Sequence, residues 1–258
     1  MRVPPKLTGA ARSAGKERGK SDPIDALAVA RVALREPDLD RPRPGEERYR
    51  EVKLLVVHRD DLVDERRRAQ QRLRWHLHQL EPSLVGPAGA LDRAVWLDRV
   101  VRWLSRRTPE VQVRIARDLV GRCRSLTRAI VELERELATM SAQMAPALLE
   151  LPGCAGITAA KLLAERFRSD AQLARQGGVA PLQASSGRTQ RHRLDRGGNR
   201  QLNSAFHRIA ITQTRVHPAA PAYIARKKGE GKSNREAIRC LKLARTVFNT
   251  LKAGDGLT

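Results

Sequence analysis

Eight apolar residues between 119 and 144 recur in a strict 3–4 pattern. Leu119, Leu126, Leu133 and Met140 are spaced by seven, and Cys123, Ile130, Leu137 and Met144 repeat that spacing offset by four. Such a seam lies along one side of a helix and has to be covered by another helix. The chain is thereby committed to long packed helices. Thr108-Pro109-Glu110 supplies a start: a capping hydroxyl, a proline in the first turn and an acid near the positive helix end. A second long helix is expected from Glu46 to about Leu80, with Leu55, Leu62, Ala69, Leu73, Leu77 and Leu80 as its stripe and Arg59 and Arg66 interrupting it. Across the turn signals Pro82, Gly86, Pro87 and Gly89 it is the expected antiparallel partner. The seam predicts a coiled coil, closed within one chain or between chains. A plain amphipathic helix inside one domain is the other reading.

The remaining segments are also helical in pattern. A short Ala-rich helix is expected from Pro23 to about Arg35, and Pro37, Pro42, Pro44 and Gly45 mark a linker. Another runs from about Leu91 to Arg107. From Leu151 onward Gly and Ser appear, acids become rare, and short helices alternate with loops. Strand signals are weak. The expected fold is mainly α: a basic lead-in, short helix and linker over 1–45, a helical, coiled-coil region over 46–150, and a small helical domain over 151–258.

Charge narrows the partner class. The 258 residues carry 50 Lys+Arg against 28 Asp+Glu, a net charge of +22. After residue 170 there are 17 basic and 4 acidic residues. A surface so basic repels itself unless polyanions are near, so DNA or RNA is the expected partner. Only 3% of the residues are aromatic, which argues against sheet platforms that stack bases. Cys123, Cys154 and Cys240 are far apart, odd in number and form no CxxC pair, so neither a disulfide framework nor a zinc ribbon is expected. The N-terminus lacks a signal-peptide pattern, and no apolar run reaches the ~20 residues of a membrane span. A soluble, cytoplasmic protein is the expectation.

Four motifs carry candidate chemistry. Leu151-Pro152-Gly153-Cys154-Ala155-Gly156-Ile157 has the pattern of a helix–hairpin–helix, in which Gly153 and Gly156 permit a tight turn. Backbone N–H groups and the helix dipole then hold a phosphate, with Lys161 nearby; the alternative is a Gly-rich turn between packed helices. Ser185-Ser186-Gly187 opens a loop with Arg188, Arg191, Arg193 and Arg196. A serine beside glycine suits attack on a phosphodiester, with arginines offsetting charge; alternatively both serines are turn residues. Lys227, Lys228 and Lys232 surround a glycine turn, followed by a Ser233-x-x-Glu236 capping box. They are either phosphate contacts or a solvated basic face. Asp22 and Asp25 share one helical face, where two carboxylates can hold Mg²⁺; alternatively Asp22 is the N-cap before Pro23.

Taken in order, these segments resemble one family. The matching stretches are Lys20–Ala26, Leu151–Glu165, Gly178-Val179-Ala180-Pro181, Ser185-Ser186-Gly187-Arg188, Gly197–Asn203 and Lys228–Lys232 with the helix after it. Together they look like insertion-sequence transposases that join a RuvC-like DEDD nuclease domain, a coiled coil and a C-terminal serine domain, known as bridge-RNA-guided recombinases. The resemblance implies DNA strand cleavage and exchange, with Ser186 as the attacking serine and Ser185 the lesser choice. It implies Asp22 and Asp25 as the last two acids of a Mg²⁺-binding quartet, a structured guide RNA as partner, and a homo-oligomer joined through the coiled coil. In the family the first two acids precede this pair in a sheet domain. Only 21 residues precede Asp22 here, so the resemblance also implies an N-terminally shortened member, with half the quartet missing. The alternative it leaves is a non-catalytic, nucleic-acid-binding, self-associating remnant.

Overall fold

The computed structural model describes residues 3, 7–9, 11, 21–36, 39, 46–165, 167, 169–180, 182–183, 192–193, 197–241, 246–247 and 249–251. Residues 1–48 and 49–258 form two compact units. The described residues are mainly helical, as the periodicity predicts.

In the first unit, α1 spans Asp22–Arg35 and buries Ala28 and Val32. Its N-cap position is Ser21, in extended conformation and without a side-chain cap bond. Asp22 is therefore the first helical residue, not the cap. The bond from Asp25 N–H to Ser21 O closes the first turn one residue earlier than the Asp-Pro pair suggests.

The second unit is organised by two long helices, α2 (Glu46–Leu80) and α4 (Val111–Met144), with α3 (Ala94–Ser105) between them in sequence. Side-chain bonds join Arg59 to Glu134, Arg66 to Thr127, Glu65 to Arg122 and Gln79 to Gln112. As the number rises along α2 it falls along α4, so the two helices run antiparallel within one chain. Arg59 and Arg66 interrupt the apolar stripe because they reach across to polar partners on α4. Around them the stripe resumes on both sides. Ala69, Leu73 and Leu77 pack with Val113, Ala116, Leu119, Val120 and Cys123, and α3 adds Leu97, Val100 and Leu104. Full burial of each leucine or valine among them contributes roughly 1.5–3 kcal/mol.

Two helix starts differ from the expectation. Helix α4 begins at Val111, beyond the Thr108-Pro109-Glu110 signal, and Glu110 takes the cap position without a side-chain bond. Glu110 N–H closes a tight turn on Thr108 O at 2.8 Å, which holds that segment outside the helix. The segment expected as one helix from Leu91 divides into a 3₁₀ turn at Ala90–Asp92 and then α3.

A second core runs across residue 150. Val52, Val56, Leu137 and Leu148 join Ala159, Ala160, Leu162, Leu163, Leu202, Ala205, Phe206 and Ile209. These last residues lie on α6 (Gly156–Leu163) and α8 (Arg200–Val216), with the short α5 (Pro146–Leu149) and α7 (Asp170–Gln176) beside them. A small third cluster joins Ala210, Ala220 and Leu241 from α8, α9 (Ala219–Gly229) and α10 (Asn234–Leu241). The only strands among the described residues are β1 (Leu182–Gln183) and β2 (His192–Arg193). They pair antiparallel with Leu182 opposite Arg193 and Gln183 opposite His192. Among the described residues no helix is long and apolar enough to cross a membrane.

Candidate functional site

The serine motif begins and ends on a closed neck. Upstream lies α7, whose cap Ser169 accepts from Gln172 N–H, followed by Gly177 and Gly178. Downstream, Asn199 caps α8: its Oδ1 accepts from the N–H groups of Gln201 at 2.8 Å and Leu202 at 3.3 Å. The backbone N–H of Asn199 donates to Gln176 O at 2.6 Å, and its Nδ2 donates to Glu165 Oε1 at 3.2 Å. A Cβ on Gly198 would meet Gln176 O at 2.6 Å and Gly178 N at 2.9 Å, so only glycine lets the two segments touch. Gln176–Gly178 and Gly198–Asn199, separate in sequence, thus form one joint, and between them in sequence β1 pairs with β2. Ser185, Ser186, Arg188, Arg191 and Arg196 lie outside the described residues. For Arg193 the backbone alone is described, in β2.

Beside the neck is a polar network linking four helices. Lys161 on α6 pairs with Asp60 Oδ2 at 3.2 Å and donates to Gln201 Oε1 at 2.5 Å. Arg59 bonds both Asp60, at 2.8 Å, and Glu134. Burial pulls the Arg59 guanidinium toward neutrality, but bonds to Glu134 and Asp60 outweigh it and leave its pKa raised. Lys53 pairs with Glu165 at 3.3 Å, on the same carboxylate that receives Asn199. Lys161 is only 13% exposed. Its ammonium is already neutralised by Asp60 and anchors α6 to α2.

The two glycines of the Leu151–Ile157 turn face protein. Gly153 has φ +90°, and a Cβ there would meet Thr212 Cβ at 2.7 Å. A Cβ on Gly156 would sit 2.6 Å from Ala138 Cβ. They bring the turn against α8 and α4, the packing role that the sequence left open beside phosphate contact. Ser141, fully buried, donates to Gly156 O at 3.1 Å and seals the contact.

At the basic turn, one carboxylate holds two of the three lysines. Lys227 and Lys232 pair with Glu230 at 2.9 and 2.8 Å, and those bonds hold the exposed Glu230 carboxyl down to about 2. Lys227 and Arg226 also lie over the Tyr223 ring. Lys228 is exposed and, among the described residues, makes no ion pair. The capping box forms as expected: Ser233 N–H donates to Glu236 Oε2 at 2.9 Å, and Glu236 N–H to Ser233 Oγ at 3.3 Å.

In the first unit, Asp22 is exposed and Asp25 half-buried, one turn apart on α1. Two carboxylates with phosphate oxygens and water suit Mg²⁺. Among the described residues no three His, Cys, Asp or Glu residues gather as a metal site, so a four-acid set is not assembled there.

Comparison with known proteins bears on this arrangement. Residues 145–225, which contain the neck, match the model described as the transposase IS116/IS110/IS902 family. Residues 1–82 match the transposase model of the DEDD, IS110 type. The chain carries transposase domains of the IS110/IS116 family. It is 28% identical to the insertion element IS110 uncharacterized 43.6 kDa protein of Streptomyces coelicolor, over 91% of this chain and 70% of that one. It is 25% identical to the insertion element IS900 uncharacterized 42 kDa protein of Mycobacterium paratuberculosis, over 97% and 75%. The IS116 uncharacterized 44.8 kDa protein of Streptomyces clavuligerus is similar to the same degree, over the same shares. The transposase reading and its mobile-element origin thus stand.

Sequence reasoning missed Asp60, Gln201 and the role of Glu165. Glu165 closes a matched motif and so carried a signal. Asp60 lies in a helix dense in charge, where nothing marks one acid from its neighbours.

Proposed function

We propose that this transposase binds DNA and cuts and exchanges its strands through Ser186. In that step the Ser186 Oγ–phosphorus bond forms, and the bond from phosphorus to a deoxyribose oxygen breaks. The Oγ proton leaves and the departing oxygen takes one up. Arg188, Arg191, Arg193 and Arg196 offset the charge at the phosphate. The observation that supports this reading most is the Asn199–Gln176–Glu165 joint. A nucleophile needs a rigid base, and hydrogen bonds and a glycine contact tie both sides of the serine segment together. Asp22 and Asp25 are the residues that would hold Mg²⁺, which supplies Lewis acidity at phosphate oxygens. A structured RNA is the proposed guide, bound with DNA by the basic C-terminal third. Gly153, Gly156 and Lys161 are in this reading the frame of the DNA-binding domain, and Lys228 is a phosphate contact, with Lys227 and Lys232 beside it. The α2–α4 pair is proposed as a coiled coil through which copies associate.

A second reading, binding without cleavage, is favoured by the two-carboxylate set of α1. A strand-cleavage assay with Mg²⁺ separates the two. Product from the wild type, kept by Ser185→Ala and lost by Ser186→Ala, supports the first. Equal product from Ser186→Ala sinks the serine role. Affinity that falls roughly 10³-fold from 50 to 200 mM salt, as about six phosphate contacts require, with no cleavage at all, selects the second.

A further inference from the structure

The chain has three tryptophans, and two are accounted for by the fold. Trp96 is half-buried and donates from Nε1 to Leu84 O at 2.8 Å. Trp103 is half-buried against the α3–α4 core, with Arg107 over its ring at 4.4 Å. Trp75 is different: it is 57% exposed on the outer face of α2, opposite the buried stripe of Ala69, Leu73 and Leu77. The edge-on ring of His76, 4.8 Å between centroids, braces it. Its neighbours on that face are Arg68 at seven residues before and Arg72 at three before, both exposed. Neither makes a hydrogen bond or ion pair to another described residue. Between Arg66 and Leu80 the helix has five arginines and no acid. Asp64, the nearest acid on the outer face, is paired with Arg67 at 3.2 Å.

We propose that the Arg68–Arg72–Trp75 face of α2 binds an unpaired stretch of nucleic acid, with one base stacked on the Trp75 ring and successive phosphates of that strand on the two guanidinium groups. Leaving a tryptophan in water costs apolar hydration that a base face removes. A stacked base is a sequence-tolerant partner for an aromatic ring, and guanidinium groups one and two turns before it on the helix suit successive phosphates of a strand that runs along that face. A duplex offers no base face to such a ring. A neutral protein partner would leave two unpaired guanidinium groups at the contact. The surface is distinct from the serine neck and does not depend on Ser186 being a nucleophile.

The test is fluorescence anisotropy with a labelled single strand, as DNA and as RNA, and with the corresponding DNA duplex. It is run without Mg²⁺ on the Ser186→Ala chain, so that cleavage plays no part. Trp75→Ala is expected to weaken single-strand binding roughly 5- to 150-fold, the range for loss of one stacked base, and to leave duplex binding unchanged. Trp75→Phe keeps most of the affinity. Arg68→Gln with Arg72→Gln lowers the single-strand salt slope by about 1.4. Because Trp75 is exposed, its variants should unfold at the wild-type midpoint. An unchanged single-strand affinity in Trp75→Ala, or an equal loss on duplex, overturns the proposal. So does transfer of the Trp75-dependent affinity to anionic vesicles.

Discussion

The side-chain amide of Asn199 donates to Glu165 while its carbonyl caps α8, so one residue ties the start of α8 to the chain just beyond α6. Removing it with Asn199→Ala should cost about 1–2 kcal/mol, the usual cost of a lost N-cap. Asn199→Asp keeps the cap but sets a second carboxylate against Glu165, which only Lys53 partly offsets. Urea unfolding at neutral pH should therefore find Asn199→Asp less stable than wild type, and Glu165→Gln in the same chain should recover part of that loss. No recovery would show that the two side chains do not face each other.

The Lys161–Asp60 pair predicts a measurable coupling. Both side chains are under one-fifth exposed, so solvent screening is weak. Lys161→Met should destabilise the chain by roughly 1–3 kcal/mol, because Asp60 keeps only Arg59. A double-mutant cycle with Asp60→Asn measures the pair itself, and a coupling within error of zero would mean that the two charges are held apart in solution.

Gly156 is a contact, and its replacement is a steric experiment. The methyl of Gly156→Ala would lie 2.6 Å from Ala138 Cβ, forcing α6 away from α4 at about 1–3 kcal/mol. Ala138→Gly in the same chain should recover part of that loss. If it recovers none, the loss does not arise at the Ala138 contact.

Glu230 restrains the basic turn. Its depressed pKa means that whatever these pairs contribute is present above the ordinary glutamate value and persists until pH falls through about 2. A carboxyl-detected NMR titration should show Glu230 still ionised at pH 3. Glu230→Gln releases Lys227 and Lys232, so DNA binding should strengthen at low salt, with a salt slope steeper by about one to two. Unchanged binding would place the turn away from DNA.

Burial sorts the three cysteines. It pushes the Cys123 thiol up to about 11 and Cys154 up to about 12, while Cys240 is exposed. Iodoacetamide at pH 8 should modify Cys240 alone in the native chain and all three in urea, as peptide mapping would show. Rapid native labelling of Cys154 would mean that the α6–α8 core opens.

The heptad spacing of Leu119–Met144, the Pro and Gly punctuation and the Ser233–Glu236 box determined the long helices, their approximate ends and the final cap. These are local properties, set by neighbours within a turn or two. Charge segregation and the order of short motifs were equally legible, and they sufficed for the transposase family. The partners of charged side chains were not, because pairing depends on which helix faces turn together. Arg59 and Arg66 look like flaws in a stripe until Glu134 and Thr127 come opposite. Nothing in the sequence marks Asp60, about a hundred residues earlier, as the partner of Lys161. Gly153 and Gly156 look like an open loop until α8 and α4 fill the space where a side chain would go. Periodicity is written along the chain; the sharing of charge and volume between distant helices exists only once they pack.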